Sequence, residues 1–211
     1  MKKILIALGF TMAAMSAQAS TLSLAQTGTV TFTTVAGTGN ANAAHDVIAG
    51  ALGGVFGTLS VDSDTTFQAT FLGSEAGNIN FYVANGSSVA GSDNKTVKIK
   101  DTFDFAVSAG DIDFGFYDFS TGVKASNIGD NINKIAYISN DNGDGGFKYF
   151  DGNGNPFAFL IGFNDSGSSD GDYDDYVIGV NAVPVPAALP LMASALGMFG
   201  VARRKSKAKA V

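Results

Sequence analysis

The stretch "DTFDFAVSAGDIDFGFYDF" (101–119) decides the fold class. Its apolar residues fall on every second position: Phe103, Phe105 and Val107 in the first half, Ile112, Phe114 and Phe116 in the second. A period of two belongs to a strand with one face buried, whereas a helix would repeat its apolar residues every three to four positions. The same alternation runs outward in both directions. It places Val30 and Phe32 together in "TGTVTFTTV" (27–35), and Phe67, Ala69 and Phe71 together in "TTFQATF" (65–71). In "NPFAFLIGF" (155–163) it groups Phe157, Phe159, Ile161 and Phe163, and "YVIGV" (176–180) closes the series. Between these runs stand "VDSD" (61–64), "NGSSVAGSDN" (85–94), "NDNGDGG" (140–146), "DGNGN" (151–155) and "NDSGSSDGD" (164–172), all built from turn-forming residues. Short strands at this spacing, without a long amphipathic helix, predict an all-β domain: a single antiparallel β-sandwich, jelly-roll-like, over residues 20–182. One short helix or loop is expected in "NANAAHDVIAGAL" (40–52). No internal repeat points to a solenoid or propeller.

Composition narrows the chemistry. All 19 acidic residues lie between positions 20 and 182, where the only basic residues are Lys95, Lys98, Lys100, Lys124, Lys134 and Lys148, a formal charge of −13. Only Glu75 is glutamate; the other acids are aspartate. Such a surface repels phosphates, so nucleic acid is excluded as a partner, and it attracts cations. With no cysteine, disulfides, zinc–thiolate sites and thiol nucleophiles are excluded as well.

The two ends carry addresses. "MKKILIALGFTMAAMSAQAS" (1–20) has a basic start at Lys2 and Lys3, an apolar run from Ile4 to Met15, and small residues at Ala17 and Ala19. That is the pattern of a secretory signal peptide over residues 1–19, and the run is too short for a bilayer core that needs about 20 residues. At the other end, Val183 to Ala202 carries no charge, and Arg203, Arg204, Lys205, Lys207 and Lys209 follow at once. The span is about one membrane crossing long, and its basic flank predicts a cytoplasmic C-terminus with the body outside the inner membrane. Pro184, Pro186 and Pro190 interrupt the first half of this helix.

The order of "VPVPAALP" (183–190), a short apolar helix (191–202) and "RRKSK" (203–207) resembles the PEP-CTERM sorting signals of Gram-negative bacteria. Val183, Pro184, Pro186 and Ala187 match the proline motif of the variants that carry Val-Pro-x-Pro-Ala; Val185 stands where the family name has Glu. Arg203, Arg204 and Lys205 match the basic tail. The resemblance implies export through the Sec translocon and temporary retention at the inner membrane by residues 183–211. Cleavage by an exosortase near the prolines would then transfer the body to the cell surface or the extracellular space. Two stretches of the body also resemble segments of such exported proteins: "FLGSEAGNINF" (71–81) and the acidic closing segment "LIGFNDSGSSDGDYDDYVIGV" (160–180), the latter as found in surface proteins with a domain of unknown function. These likenesses imply secreted β-domains and carry no catalytic residues.

Two acidic loops are candidate calcium sites. In "NDSGSSDGDYDD" (164–175), Asp165, Asp170, Asp172, Asp174 and Asp175 crowd together. In an extended strand, side chains two apart stand about 6.6 Å from each other, too far to share an ion easily, but a coiled glycine-containing loop can turn alternate carboxylates inward. The same residues are ordinary turn formers. In "NDNGDGGFKYFD" (140–151), Asn140, Asn142, Asp144 and Asp151 fall on EF-hand loop positions, though Asn140 replaces the leading Asp, Asp151 replaces the bidentate Glu, and no helices flank the loop. A calcium-stapled turn and a plain hairpin turn both fit it. Nucleophilic catalysis has little to build on: His45 is the only histidine and no Gly-x-Ser-x-Gly elbow occurs. Paired aspartates could hydrolyse glycosides, but such clefts are usually rich in Trp and this chain has none. The expectation is a non-enzymatic surface or matrix protein associated with exopolysaccharide, with calcium as its one expected ligand. The alternatives are an extracellular hydrolase acting on matrix polysaccharide and a permanently anchored periplasmic binding protein.

Overall fold

In the computed structural model, residues 20–32, 53–129, 131–140, 146, 148–165, 171 and 173–183 are described. The leader, residues 40–52 with His45, Asn142, Asp144, Asp170, Asp172, Pro184, Pro186, Ala187 and the basic tail lie outside the described residues. Among the described residues twelve strands follow one another: β1 (Leu22–Thr31), β2 (Gly53–Val61), β3 (Thr65–Gly73), β4 (Asn80–Ala84), β5 (Ser87–Ser88) and β6 (Thr102–Val107). Then come β7 (Gly110–Asp111), β8 (Phe114–Asp118), β9 (Lys124–Ser126), β10 (Ile135–Ile138), β11 (Phe159–Phe163) and β12 (Tyr176–Val183). A single 3-10 turn, Ile132–Lys134, precedes β10. Among the described residues no helix is long and apolar enough to cross a membrane.

The fold is all-β and sandwich-like, and every strand pair is antiparallel. One sheet has the order β1-β2-β10-β11-β12-β3-β6, with β7 paired to β2; the other has the order β5-β4-β8-β9. The chain crosses between them four times. The alternation read from the sequence sets which side chains meet. In β3, Phe67, Ala69 and Phe71 are buried while Thr66, Gln68 and Leu72 are only partly so. β6 lies beside it with Phe105 opposite Phe67 and Phe103 opposite Ala69. From the smaller sheet, Phe114 and Phe116 of β8 and Tyr82 of β4 enter the same core. Aromatic rings fill the space between the sheets. Phe116 stacks on Phe163 at 5.1 Å and 13°, Phe67 stacks on Phe114 at 5.5 Å, and Phe71 meets Tyr176 edge-on at 4.9 Å.

A second, smaller core covers the opposite face of the larger sheet. Phe32, Ala136, Ile138, Phe157, Leu160, Tyr173 and Val177 form it. β10, β11 and β12 are therefore buried on both faces. That explains why "IAYI", "FLIGF" and "YVIGV" read as nearly continuous apolar runs rather than alternating ones. It also corrects one grouping. Phe159, Ile161 and Phe163 face the main core as the alternation predicts, but Phe157 precedes β11 and packs in the second core, with its ring over Gly179. β12 runs one residue past the body expected to end at 182: Asn181, Ala182 and Val183 pair with Gln68, Phe67 and Thr66. Thr65 Oγ1 donates to the Val183 carbonyl at 2.8 Å, so the sheet holds the chain up to the residue before Pro184.

Side-chain amides complete the ladders where strands run out. β2 pairs with β10 only at Val55 and with β7 only at Ser60 and Val61. Between those points the buried amide of Asn127 acts as a strand residue. Its Oδ1 accepts from Leu59 N at 2.7 Å, and its Nδ2 donates to the carbonyls of Leu59 at 2.8 Å and Ile112 at 2.7 Å. Asn94 plays the same part beside β4, accepting from Asn80 N at 2.9 Å and donating to Asn78 O at 3.1 Å. Buried backbone polar groups must find partners, and these amides supply them.

Among the described residues Thr70 Oγ1, Asn80 Oδ1 and the Tyr82 hydroxyl have none. Tyr82 is fully buried among Phe103, Phe114 and Phe116, and its hydroxyl lacks a hydrogen-bond partner. Burial pushes this hydroxyl well above the ordinary tyrosine range, with Tyr176 and Tyr137 adding to the effect. An unpaired buried hydroxyl costs about 1–3 kcal/mol. Tyr82→Phe removes that cost without changing ring packing, and thermal unfolding should show a stabilisation of about 1–2 kcal/mol. A lower melting temperature for the variant would show that the hydroxyl does hold a partner.

Candidate functional site

The two stretches singled out by their likeness to exported proteins meet in space. β11 and β12 are an antiparallel pair ending at Phe163 with Tyr176, so Asn164 and Asp165 at the end of one lie beside Asp174 and Asp175 at the start of the other. Asp165 N donates to Asp175 Oδ2 at 2.7 Å across this mouth. Segment 71–81 docks against it. Ser74 Oγ donates to the Asp175 carbonyl at 2.6 Å, and Glu75 N donates to the Asp174 carbonyl at 3.0 Å. Asn80, the first residue of β4, directs its Nδ2 at Asp165 Oδ2, 3.1 Å away, and at the Asp175 carbonyl, 3.4 Å away. On another side Lys134 Nζ donates to the carbonyls of Asp165 at 3.1 Å and Asn164 at 3.3 Å.

The junction is out of solvent. Asn80 is 0% exposed, Asp165 and Asp174 are 3% exposed, and Asp175 is 7% exposed. Buried carboxylates persist only with strong partners; here the Asp165 N–H meets the Asp175 carboxylate and the Asn80 amide meets that of Asp165. The backbone is drawn tight beneath them. Tyr173 takes a positive φ of 62° and its hydroxyl donates to Asn133 O at 2.7 Å. Its carbonyl approaches Gly162 so closely that a Cβ there would lie 2.1 Å from the oxygen, which only glycine permits.

Of the five aspartates expected to gather a cation, the fold brings Asp165 and Asp175 into contact. Asp174 lies within the junction, with its carbonyl bound to Glu75. Asp170 and Asp172 lie outside the described residues. Among the described residues no three acidic or histidine side chains converge on one point. Sequence reasoning missed Asn80, Ser74 and Asn94, which join the junction from the far side. Asn94 Nδ2 reaches Ser74 Oγ at 2.9 Å. Ser74 and Asn80 lie in the 71–81 stretch already singled out, but nothing in the sequence joined it to the aspartate loop, and Asn94 lies outside both stretches.

The second loop is differently disposed. Asn140 is buried, and its amide is engaged with backbone: Oδ1 accepts from Tyr149 N at 2.8 Å, and Nδ2 donates to Tyr149 O at 2.8 Å and Phe157 O at 3.3 Å. Asp151 closes a tight turn, its Oδ1 accepting from the backbone of Asn153 and Asn155 at 2.8 Å each. Slight burial pushes its carboxyl upward, but the bonds from Asn155, Asn153 and Gly154 prevail and hold it below the usual range. Asn142 and Asp144 lie outside the described residues. The two described members thus act as turn and ladder formers.

An apolar cleft of about 820 Å³ is lined by Leu24, Val30, Val55, Tyr137, Phe157 and Phe159. On the smaller sheet Phe119 is 61% exposed and meets Phe81 and Tyr117, each at 6.3 Å, with Lys124 Nζ 5.5 Å from the Tyr117 ring centre. No protein-family model, no curated protein and no solved structure matches this chain.

Proposed function

We propose that the chain is an exported, non-enzymatic protein of the bacterial surface or extracellular matrix, its body a jelly-roll-like sandwich and its tail a sorting signal. The observation that carries this reading is the order at the C-terminus: the proline pair at 184 and 186, an uncharged run to Ala202, then Arg203, Arg204 and Lys205. A generic anchor needs no proline pair ahead of its helix, and the basic end fixes the body outside. The leader at 1–19 supports export. The four crossings between sheets support the jelly-roll-like path. Association with exopolysaccharide is supported by the ring cluster of Phe81, Tyr117 and Phe119, whose apolar faces suit stacking against sugar rings.

Intact-mass analysis of protein released from the cell surface tests the reading. The expected species begins at Ser20 and ends between Val183 and Ala187. A released form that still carries Arg203 and Arg204 would overturn processing by a sorting enzyme.

A further inference from the structure

The outer face of the smaller sheet carries more than a solvated surface needs. Strand alternation sends Phe114 and Phe116 of β8 into the core, so Asp113, Gly115, Tyr117 and Phe119 fall on the outward side. Pairing extends this line sideways into two rows. Tyr117 lies between Phe81 of β4 and Lys124 of β9, and Gly115 lies between Val83 of β4 and Ser126 of β9. The first row is a raised aromatic step: Phe119 meets both Phe81 and Tyr117 edge-on, and Lys124 Nζ stands over the Tyr117 ring. The second row is low, because Gly115 has no side chain, and a groove of about 510 Å³ opens there. It cannot be filled from within. A Cβ at Gly115 would lie 2.1 Å from the Ala125 carbonyl oxygen, so the position must stay glycine. Hydroxyls reach the groove from both sides, Ser87 and Ser88 from β5 and Ser126 from β9.

We propose that this face binds an uncharged polysaccharide, laid along β8 from Asp113 to Phe119. The inference rests on the matrix association proposed above and gives that partner its chemistry. From Asp113 to Phe119 are three two-residue steps of about 6.6 Å, roughly 20 Å in all, which is room for several sugar rings in line rather than one. Stacking comes from Phe119. One side of a sugar ring presents C–H groups, and these are drawn to the negative face of an aromatic ring. Phe119 is 61% exposed, beside two further rings, and open apolar surface of this kind marks a contact site. Hydroxyl recognition comes from the groove, which offers donors and acceptors together. Lys124 only donates, Asp113 accepts, and serine hydroxyls do both. Ser126 Oγ accepts from Ile128 N at 3.2 Å and keeps its own proton to donate. Charge selects among glycans. The body from 20 to 182 carries −13 and repels a polyanion, yet the charged residues lining this groove are one lysine and one aspartate, which cancel. A neutral face on an acidic body is complementary to an uncharged polymer. It suits neither an anionic one nor a second copy of the same acidic body.

Affinity electrophoresis of the purified full chain in mild detergent tests the proposal. The gels contain a soluble β-glucan, a galactomannan or a dextran as uncharged polymers, and alginate as the anionic comparison. At least one uncharged polymer should slow the native chain against a non-binding reference protein, and alginate should not. Phe119→Ala removes an exposed ring and Lys124→Gln removes an exposed charge, so thermal unfolding should show both variants folded. Each should raise the apparent dissociation constant roughly three- to tenfold. Migration unchanged by every uncharged polymer, or slowed by alginate alone, would overturn the proposal. Retardation that both variants keep in full would overturn it too, because the polymer would then bind elsewhere. So would a native dimer in sedimentation that Phe119→Ala dissociates, since a second copy would then cover the face. The mass of the released species reads the other end of the molecule. A wrong tail assignment therefore leaves binding intact, and absent binding leaves the tail assignment intact.

Discussion

Asn127→Ala should destabilise the fold by about 3–5 kcal/mol, although the residue sits in a short turn after β9. The magnitude follows from what its amide serves. It satisfies both the N–H and the carbonyl of Leu59, the carbonyl of Ile112 and the hydroxyl of Tyr137. All of this happens at a residue that is 0% exposed. Truncation leaves Leu59 N–H and the Tyr137 hydroxyl buried without partners, at about 1–3 kcal/mol each, and opens a gap between β10 and β7. Leu59 O keeps one bond, from Ile112 N at 3.1 Å, which limits the loss there. Asn127→Asp is the sharper probe. It preserves volume but turns an acceptor toward the Leu59 and Ile112 carbonyls and buries a charge, so it should cost at least as much as alanine. Tyr137→Phe removes only the hydroxyl contact and should cost about 1 kcal/mol. Urea unfolding followed by circular dichroism gives all three values. A loss below about 1 kcal/mol for Asn127→Ala would mean that the ladder closes without it.

Asn127 also shows why part of this fold was hidden from the sequence. Strands with one wet face were legible, because β3, β6 and β8 keep the two-residue period that burial of a single face imposes. The sandwich-like pairing of two sheets followed from their number and spacing. β2, β4, β9 and β10 went unmarked. "IAYI" is buried on both faces and shows no alternation, and β9 is only three residues long. Asparagines were read as turn formers, which suits Asn153 and Asn155. Yet Asn94, Asn127 and Asn140 are buried and replace missing strand residues, and nothing local distinguishes the two uses. A side-chain amide matches a peptide group in donor and acceptor, so its role depends on which backbone the fold brings beside it.

The candidate site divides in the same way. Crowding of Asp165 and Asp175 was readable, because both lie in one loop whose ends a hairpin must bring together. The participation of Ser74 and Asn80 was not, since they are more than 80 residues distant in the chain and arrive through pairing of the smaller sheet. Spacing rules for metal loops apply to ligands from one segment. This junction is assembled from two, and only the tertiary fold decides that Asn80 rather than Asn78 faces Asp165.

Phe116→Ala should be the most damaging truncation in the aromatic core, at about 3–5 kcal/mol. Phe116 is fully buried in β8, on the smaller sheet, and its ring contacts cross to the larger one. It lies 5.1 Å from Phe163 of β11 and 5.5 Å from Tyr176 of β12, and it meets Tyr82 of its own sheet edge-on at 6.0 Å. Such ring pairs contribute about 0.5–1.5 kcal/mol each beyond area burial, so the loss exceeds simple transfer of a phenyl group from water. The neighbours cannot readily collapse into the space. The Tyr176 hydroxyl is tethered to Ser92 O at 2.8 Å, and Phe163 is held in the β11 ladder between β10 and β12. The cavity therefore persists, and its cost adds to the lost contacts. Phe116→Leu retains much of the volume but none of the ring geometry and should fall between the native chain and alanine. Phe119→Ala is the control, since that ring is 61% exposed and its removal should change stability by no more than about 0.5 kcal/mol. The chain has no Trp, so far-UV circular dichroism in urea is the natural probe. If Phe116→Ala and Phe119→Ala prove equally mild, the two sheets are not held together by this ring, and the sandwich must be cemented along the Phe67, Phe105 and Phe114 edge instead.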